Sequence, residues 1–325
     1  MSTSRAAAPG KVILFGEHAV VYGRPAIAVP VHQKQATAVV TTANIDGIRL
    51  LAPDLHIAYD LADAPAHDPL ATAVRLVQQT LHLDSLPGLI ITVRSSIPIA
   101  SGLGSGAAIA AALIRALLIH LGDPRLATPA LVSKLTYEVE KLHHGTPSGI
   151  DNSVVAYERP IYFVRRQPEN LIEPLPVGRP LHLLIADTGV ASPTWVAVSD
   201  VRRQWEADPD RFEQLFAGCG EIAQTARHCL EQGEVVQLGE LMNDNHRLLQ
   251  EMTVSSPELD RLVAVAQEAG ALGAKLSGAG RGGNMIALVA PEMSLTIRAD
   301  LLAAGACQVI ETVVAGDRQD GSAQS

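Results

Sequence analysis

One stretch constrains this chain more than any other: Pro98-Ile99-Ala100-Ser101-Gly102-Leu103-Gly104-Ser105-Gly106-Ala107-Ala108. Three glycines and two serines fall within residues 101–106, and an apolar run from Ala107 to Leu121 follows at once. Leu89-Ile90-Ile91-Thr92-Val93 precedes it, a β-branched run that reads as a buried strand. The order is therefore strand, glycine loop, helix. Glycine lets backbone approach a ligand closely and adopt positive φ without steric cost. The first turn of a helix carries unpaired N–H groups and a partial positive charge, so the loop suits an anion, most often phosphate. The same pattern would also serve a tight turn into a buried helix.

The 325 residues suffice for two domains of ordinary size. With 47% hydrophobic and only 3% aromatic residues, the core must be built from Ala, Leu, Val and Ile. A net charge of −9 argues against nucleic acid or an anionic membrane as the partner. Cys219, Cys229 and Cys307 form no CxxC pair and read as buried small hydrophobes in a reducing compartment. Residues 1–10 lack the apolar core of a signal peptide. The run Ala107–Leu121 is too short to span a bilayer and contains Arg115 and His120. A cytoplasmic protein with no membrane partner is expected.

In chain order, Val12–Phe15, Ala26–Val29 and Gln35–Thr42 read as strands, and Ile48–Leu61 as a hairpin. Asp68-Pro69 is an N-cap with a first-turn proline, opening a helix to Leu81. A second long helix starts after Thr128-Pro129 and runs to about His143. The turn-rich segment 144–153 leads to expected strands at Val154–Ala156 and Ile161–Val164. A domain boundary is expected near 165–180, giving domains of 1–175 and 176–315 and a flexible tail of 316–325. The second half reads as strand 181–186, helices 194–206, 209–231, 234–250 and 257–269, a glycine loop 275–284, strand 285–289, helix 292–304 and strand 307–313.

Two motif matches fail on context. Gly278, Gly280 and Gly283 fit G-x-G-x-x-G but lead into a strand, whereas a dinucleotide site needs them between a strand and a helix. Neither glycine loop ends in the G-K-[ST] of a Walker A motif. His143-His144 lacks zinc-ligand spacing to any other His or Cys.

Lys11, Glu17 and His18 crowd the end of the first strand, among three glycines between residues 10 and 23. Taken singly, each would be a solvated polar residue at a strand end. Glu140 and Asp151 lie eleven residues apart, one near a helix end and one in a glycine–proline loop. Such a pair is commonly a surface carboxylate and a cap. Phosphoryl transfer supplies a use for both: Mg²⁺ on nucleotide phosphates wants hard oxygen ligands, and an acceptor hydroxyl wants a carboxylate to take its proton. A cation must then offset charge developing at the transferred group, and Lys11 is available.

Together these motifs resemble the GHMP kinases. The stretch Lys11-Val12-Ile13-Leu14-Phe15-Gly16-Glu17-His18-Ala19-Val20-Val21-Tyr22-Gly23 resembles the first family motif, in wording similar to the members that act on mevalonate. Pro98–Ala108 resembles the phosphate loop, His144–Asn152 the segment carrying the catalytic aspartate, and Lys275–Asn284 the third motif. The resemblance implies a two-domain α+β fold, with a ribosomal-S5-domain-2-like N-terminal domain, a C-terminal α+β domain and the active site in the cleft between them. It implies transfer of the ATP γ-phosphate to the 5-hydroxyl of mevalonate, with Mg²⁺ as cofactor. Asp151 is then the base or hydroxyl-orienting group, Lys11 its cationic neighbour and Glu140 the metal ligand. Ser101, Gly102, Leu103, Gly104, Ser105, Gly106 and Ala107 wrap the phosphates. Glu17, His18 and Thr188 line the mevalonate pocket, and Gly278–Gly283 shape the cleft.

Two positions depart from the family pattern. The phosphate loop usually carries a second serine that helps bind Mg²⁺ where this chain has Gly106, which leaves Ser105, water or a phosphate oxygen to complete the coordination. Arg281 replaces a third-motif glycine, and its guanidinium could meet a phosphate, a carboxylate or solvent. Competing readings are a sister kinase acting on phosphomevalonate or a sugar, and a catalytically silent nucleotide-binding sensor. A homodimer is left open.

Overall fold

The computed structural model describes residues 2–98, 102–144, 147–191 and 193–315, without the side chains of Leu55, His143 and His144. The expected tail, 316–325, lies outside the described residues. The chain mixes helices and sheets throughout, as an α+β class requires, and forms two compact units.

The first unit holds the N-terminal stretch to Lys11 with Pro30–Ile99 and Leu103–Glu158. Its strands are β1 (Thr3–Phe15, leaving the unit after Lys11), the second half of β2 (Ala26–Thr42), β3 (Ile48–Ala52), β4 (Ile57–Asp60) and, after helix α1 (Pro69–Thr80), β5 (Leu89–Ser95). The order is β4-β3-β5-β2, with β1 also paired to β2. β5 runs parallel to β3 (Leu89 opposite Ile48) and antiparallel to β2 (Ser95 opposite Ala36). The Asp68 carboxylate accepts a 2.7 Å bond from Ala71 N and so caps α1.

Helix α2 (Ser105–Leu121) packs against α1, α3 (Pro129–His144) and α4 (Ile150–Tyr157). Ala107, Ala108, Ala110, Ala111, Ala112 and Ala116 are all buried along it. Small side chains let neighbouring helices approach closely, which is how a core poor in aromatics reaches interior packing density.

The second unit holds Val12–Val29 and the described chain from Arg159 onward. The first residues of β2 pair antiparallel with β6 (Ile161–Val164), which pairs with β7 (Leu171–Pro174). The remaining elements are β8 (Leu181–Asp187), α5 (Thr194–Ala207), α6 (Pro209–Gln232), α7 (Val235–Glu251), α8 (Pro257–Glu268), β9 (Gly273–Ser277), β10 (Asn284–Val289), α9 (Ser294–Ala303) and β11 (Gln308–Val314). An antiparallel sheet of order β11-β8-β10-β9 meets α7, α8 and α9. Its core joins Leu184, Ala186, Met285 and Ala287 to Phe212, Phe216, Leu259 and Leu262. Phe216 stacks on Tyr22 at 4.1 Å and meets Phe212 edge-on at 5.8 Å between ring centroids.

Three sequence expectations are corrected. Val154–Ala156 is helix, not strand: the Ser153 hydroxyl bonds Gly149 O at 2.6 Å and Asn152 Nδ2 bonds Ser133 Oγ at 2.9 Å, so packing on α3 overrides β-propensity. Ala26–Thr42 is one strand rather than two. Cys307 is exposed, whereas Cys219 and Cys229 are buried.

Phe216→Ala is expected to remove about 3–5 kcal/mol of stability. Urea denaturation checks it, and a loss under about 1 kcal/mol would show that the aromatic cluster is not a packed core.

Candidate active site

In the first unit, Lys11 leaves β1 with its side chain against the glycine loop. Its backbone N–H donates to Leu103 O at 2.9 Å. Gly104 has φ +72°, and a Cβ there would lie 2.9 Å from Lys11 Cγ. Glycine is therefore required twice at this position, for the left-handed backbone and for the passing lysine stem. Gly104 is also the residue before α2, so its turn delivers the chain from loop to helix.

The Lys11 ammonium is almost fully buried and pairs with Asp151 Oδ1 at 2.9 Å. Asp151 sits in the first turn of α4 and stays 34% exposed, so a small molecule can reach it. Glu140, on α3, is 4% exposed. Burial, and next the charge of Asp151, push its carboxyl up to about 7, with Lys11 opposing. Two carboxylates and one ammonium thus share one region at the start of α2. Gly106 is part of that arrangement, since a Cβ there would stand 3.2 Å from Glu140 Oε1. Ser105 opens α2 beside it, Ala107 is buried one position further, and Ser101 lies outside the described residues.

In the second unit, Glu17 and His18 form the turn after β1. Glu17 is 1% exposed and forms an ion pair with Lys275 of β9. His18 takes φ +59°, and its Nε2 donates to Ala279 O at 2.9 Å. Burial lowers the imidazole to about 4, so it is neutral at physiological pH. The Thr188 hydroxyl, following β8, donates to Gly283 O at 2.9 Å. The glycine turn 278–283 is tight: a Cβ on Gly280, at φ +78°, would lie 1.9 Å from Val254 O. Arg281 meets a carboxylate: it pairs with Asp200 of α5 and bonds Thr253 O. It therefore ties the glycine turn to two neighbouring segments.

Lys11, Asp151, Glu140 and the loop 103–107 are gathered in one unit, and Glu17, His18, Thr188 and the turn 278–283 in the other. Sequence reasoning missed Lys275, which it placed only as the start of a glycine loop. Its signal was a lysine inside an apolar stretch next to Leu276, which a strand would have buried.

Comparison with known proteins gives the family. Residues 69–159 match the GHMP kinases N terminal domain and residues 226–301 the GHMP kinases C terminal domain. Both halves of a GHMP small-molecule kinase are present. The mevalonate kinase of Thermococcus sibiricus is 35% identical over 95% of each chain, and that of Methanothermobacter thermautotrophicus is 35% identical over 87% of this chain and 89% of its own. The structure of L. major mevalonate kinase in complex with R-mevalonate matches with a TM-score of 0.83 at 30% identity, covering 97% of each chain. The chain belongs to the mevalonate kinases of the GHMP family.

The His18 imidazole gives a pH prediction. Its folded value, about 4, lies below the 6.5 of a free side chain. The folded state therefore resists protonation, and this contribution is intact above about pH 6.5 and lost as pH falls towards about 4. Relative to His18→Gln, which cannot protonate, the wild type should lose up to about 3 kcal/mol over that window. Urea midpoints of both proteins at each pH measure it; parallel curves would place His18 in contact with solvent.

Proposed function

We infer that this enzyme transfers the γ-phosphoryl group of ATP to the 5-hydroxyl of (R)-mevalonate, releasing ADP and 5-phosphomevalonate. The observation that carries the chemistry is the Lys11–Asp151 pair at 2.9 Å, set beside Glu140 at the glycine loop that opens α2. Phosphoryl transfer asks little covalent work of a protein and much positioning and charge stabilisation. Asp151 accepts the hydroxyl proton or orients the hydroxyl as its oxygen attacks phosphorus. Lys11, paired with Asp151 at 2.9 Å, stabilises the charge gathering on the oxygens in flight. Leu103–Ala107, with Ser101 and Gly102 before them, wrap the phosphates, whose charge the N-terminus of α2 favours. The Gly16–His18 turn, with Glu17, His18 and Thr188, receives mevalonate.

The family chemistry calls for Mg²⁺, and the residues present fit it. Glu140 is a buried carboxylate whose ionised form is disfavoured by burial and by Asp151, a penalty that a cation would offset. Ser105 offers a hydroxyl at the same helix start. Among the described residues no three His, Cys, Asp or Glu converge on a metal site. ATP phosphates and water would thus supply most of the coordination, as Mg²⁺ accepts readily. When bound, the ion neutralises phosphate charge. Gly106, lacking the family's serine, contributes no oxygen and leaves room for Glu140.

We place the reaction in the cytoplasm, where ATP is available and the free cysteines Cys219, Cys229 and Cys307 stay reduced. No helix among the described residues is long and apolar enough to cross a membrane. ATP and mevalonate are the partners, and association as a homodimer remains compatible with this reading.

ADP release from Mg-ATP should be stimulated by (R)-mevalonate and not by phosphomevalonate or galactose; turnover on another alcohol alone would reassign the substrate. Asp151→Asn should lower kcat by about 10²–10⁴-fold with ATP binding unchanged. An unaltered kcat would remove Asp151 from the chemistry.

A further inference from the structure

The phosphoryl-transfer machinery leaves one buried charge unused. Lys275 is wholly buried in β9, and its ammonium meets the Glu17 carboxylate and Leu276 O, the latter at 2.6 Å. Asn245 Nδ2 donates to Cys219 Sγ at 3.5 Å, and His246 accepts from Leu276 N at 3.3 Å through Nδ1. The other ring nitrogen of His246 bonds Asp260 at 3.2 Å.

A buried lysine–glutamate pair is a poor stabiliser, because desolvating two charges offsets most of their attraction and apolar residues of equal volume often do as well. Stability alone does not account for it. The pair does fix position. Ser277 bonds the backbone of Ile13 twice, donating to its oxygen at 2.9 Å and accepting from its nitrogen at 3.2 Å. Lys275 holds Glu17, and Ala279 O holds His18. Residues 275–279 therefore grip residues 13–18 at three successive points. The last grip fixes a tautomer: with Nε2 donating to a carbonyl, neutral His18 carries its acceptor at Nδ1. His18 also sits at φ +59°, a strained backbone for a residue with a Cβ, which persists only where neighbours impose it.

We propose that Lys275 is a positioning residue for the alcohol substrate: its ion pair with Glu17 locks the Gly16–His18 turn so that the His18 imidazole is held, in one tautomer, as a hydrogen-bond acceptor for mevalonate. Glu17 then acts on substrate affinity through His18 rather than by its own contact. This rests on the mevalonate reading above, and wild-type turnover on mevalonate is the control that tells a failure of that reading from a failure of this one.

The test compares Glu17→Gln, Lys275→Met and the double variant, which replaces the ion pair by neutral groups of similar size. The double variant should regain most of the thermal stability that Lys275→Met loses, yet keep a KM for mevalonate raised about tenfold or more, with kcat and the KM for ATP within about threefold of wild type. In a His18→Ala background, adding the double substitution should raise the mevalonate KM by less than about threefold, because both act through one contact. A wild-type mevalonate KM in the folded double variant would overturn the proposal, as would an equal rise in both KM values or full additivity with His18→Ala. Failure of every variant to fold would also overturn it, by making the pair a folding element.

Discussion

The first unit's site depends on taking one ammonium out of water and giving it a partner. Lys11 is buried to within a few per cent of its surface, and an isolated ammonium so placed would be costly. Three separate parts of the sequence hold it in place. β1 fixes its backbone through Leu103 O, Gly104 makes room for its stem, and α4 brings Asp151 to its tip. Remove any one and a buried charge is left without position or partner, which is the expensive state. The helix bundle around α2 follows from the same need. α3 carries Glu140, α4 carries Asp151, and Asn152 bonds Ser133 so that the two helices keep one register. The alanines of α2 let both approach its start.

The second unit solves a different problem with the same economy. The Gly16–His18 turn leads into a single 3-10 turn, Ala19–Tyr22, and a histidine at positive φ resists the conformation it adopts. The opposing segment, Lys275 to Ala279, is strand for its first three residues and glycine turn beyond. The strand supplies rigidity and buried donors; the turn supplies a free carbonyl for the imidazole. Arg281 then anchors the turn to Asp200 and Thr253, so a departure from the family's glycine has become a brace.

Much of this was legible in sequence. The strand–loop–helix order around Gly102–Gly106 was readable, as were the starts of α1 and α3 at Asp68-Pro69 and Thr128-Pro129. Lys11, Glu140 and Asp151 could be proposed as a group because phosphoryl transfer needs that set of charges. The misreadings have physical causes. Val154–Ala156 carries β-branched residues, yet a left-handed Gly149 and bonds to α3 make it helix, and those partners lie about twenty residues away. Lys275 was hidden because its partner, Glu17, is 258 residues away. Its apolar neighbours hinted at burial, but nothing local named the carboxylate it would meet.

Gly106 shows how the site balances its charges. Burial, and next the charge of Asp151, raise the Glu140 carboxyl to about 7. A side chain at 106 would begin 3.2 Å from that carboxylate, tighter than an ordinary contact, and Glu140 would have to yield by a few tenths of an ångström. Yielding would alter its burial and its separation from Asp151 and Lys11, which together set its ionisation. A glycine gives up one hydroxyl oxygen and in exchange leaves Glu140 where its neighbours can tune it. Were Mg²⁺ held here as proposed, water or phosphate would replace the lost oxygen at little cost, whereas no small molecule replaces a fixed carboxylate.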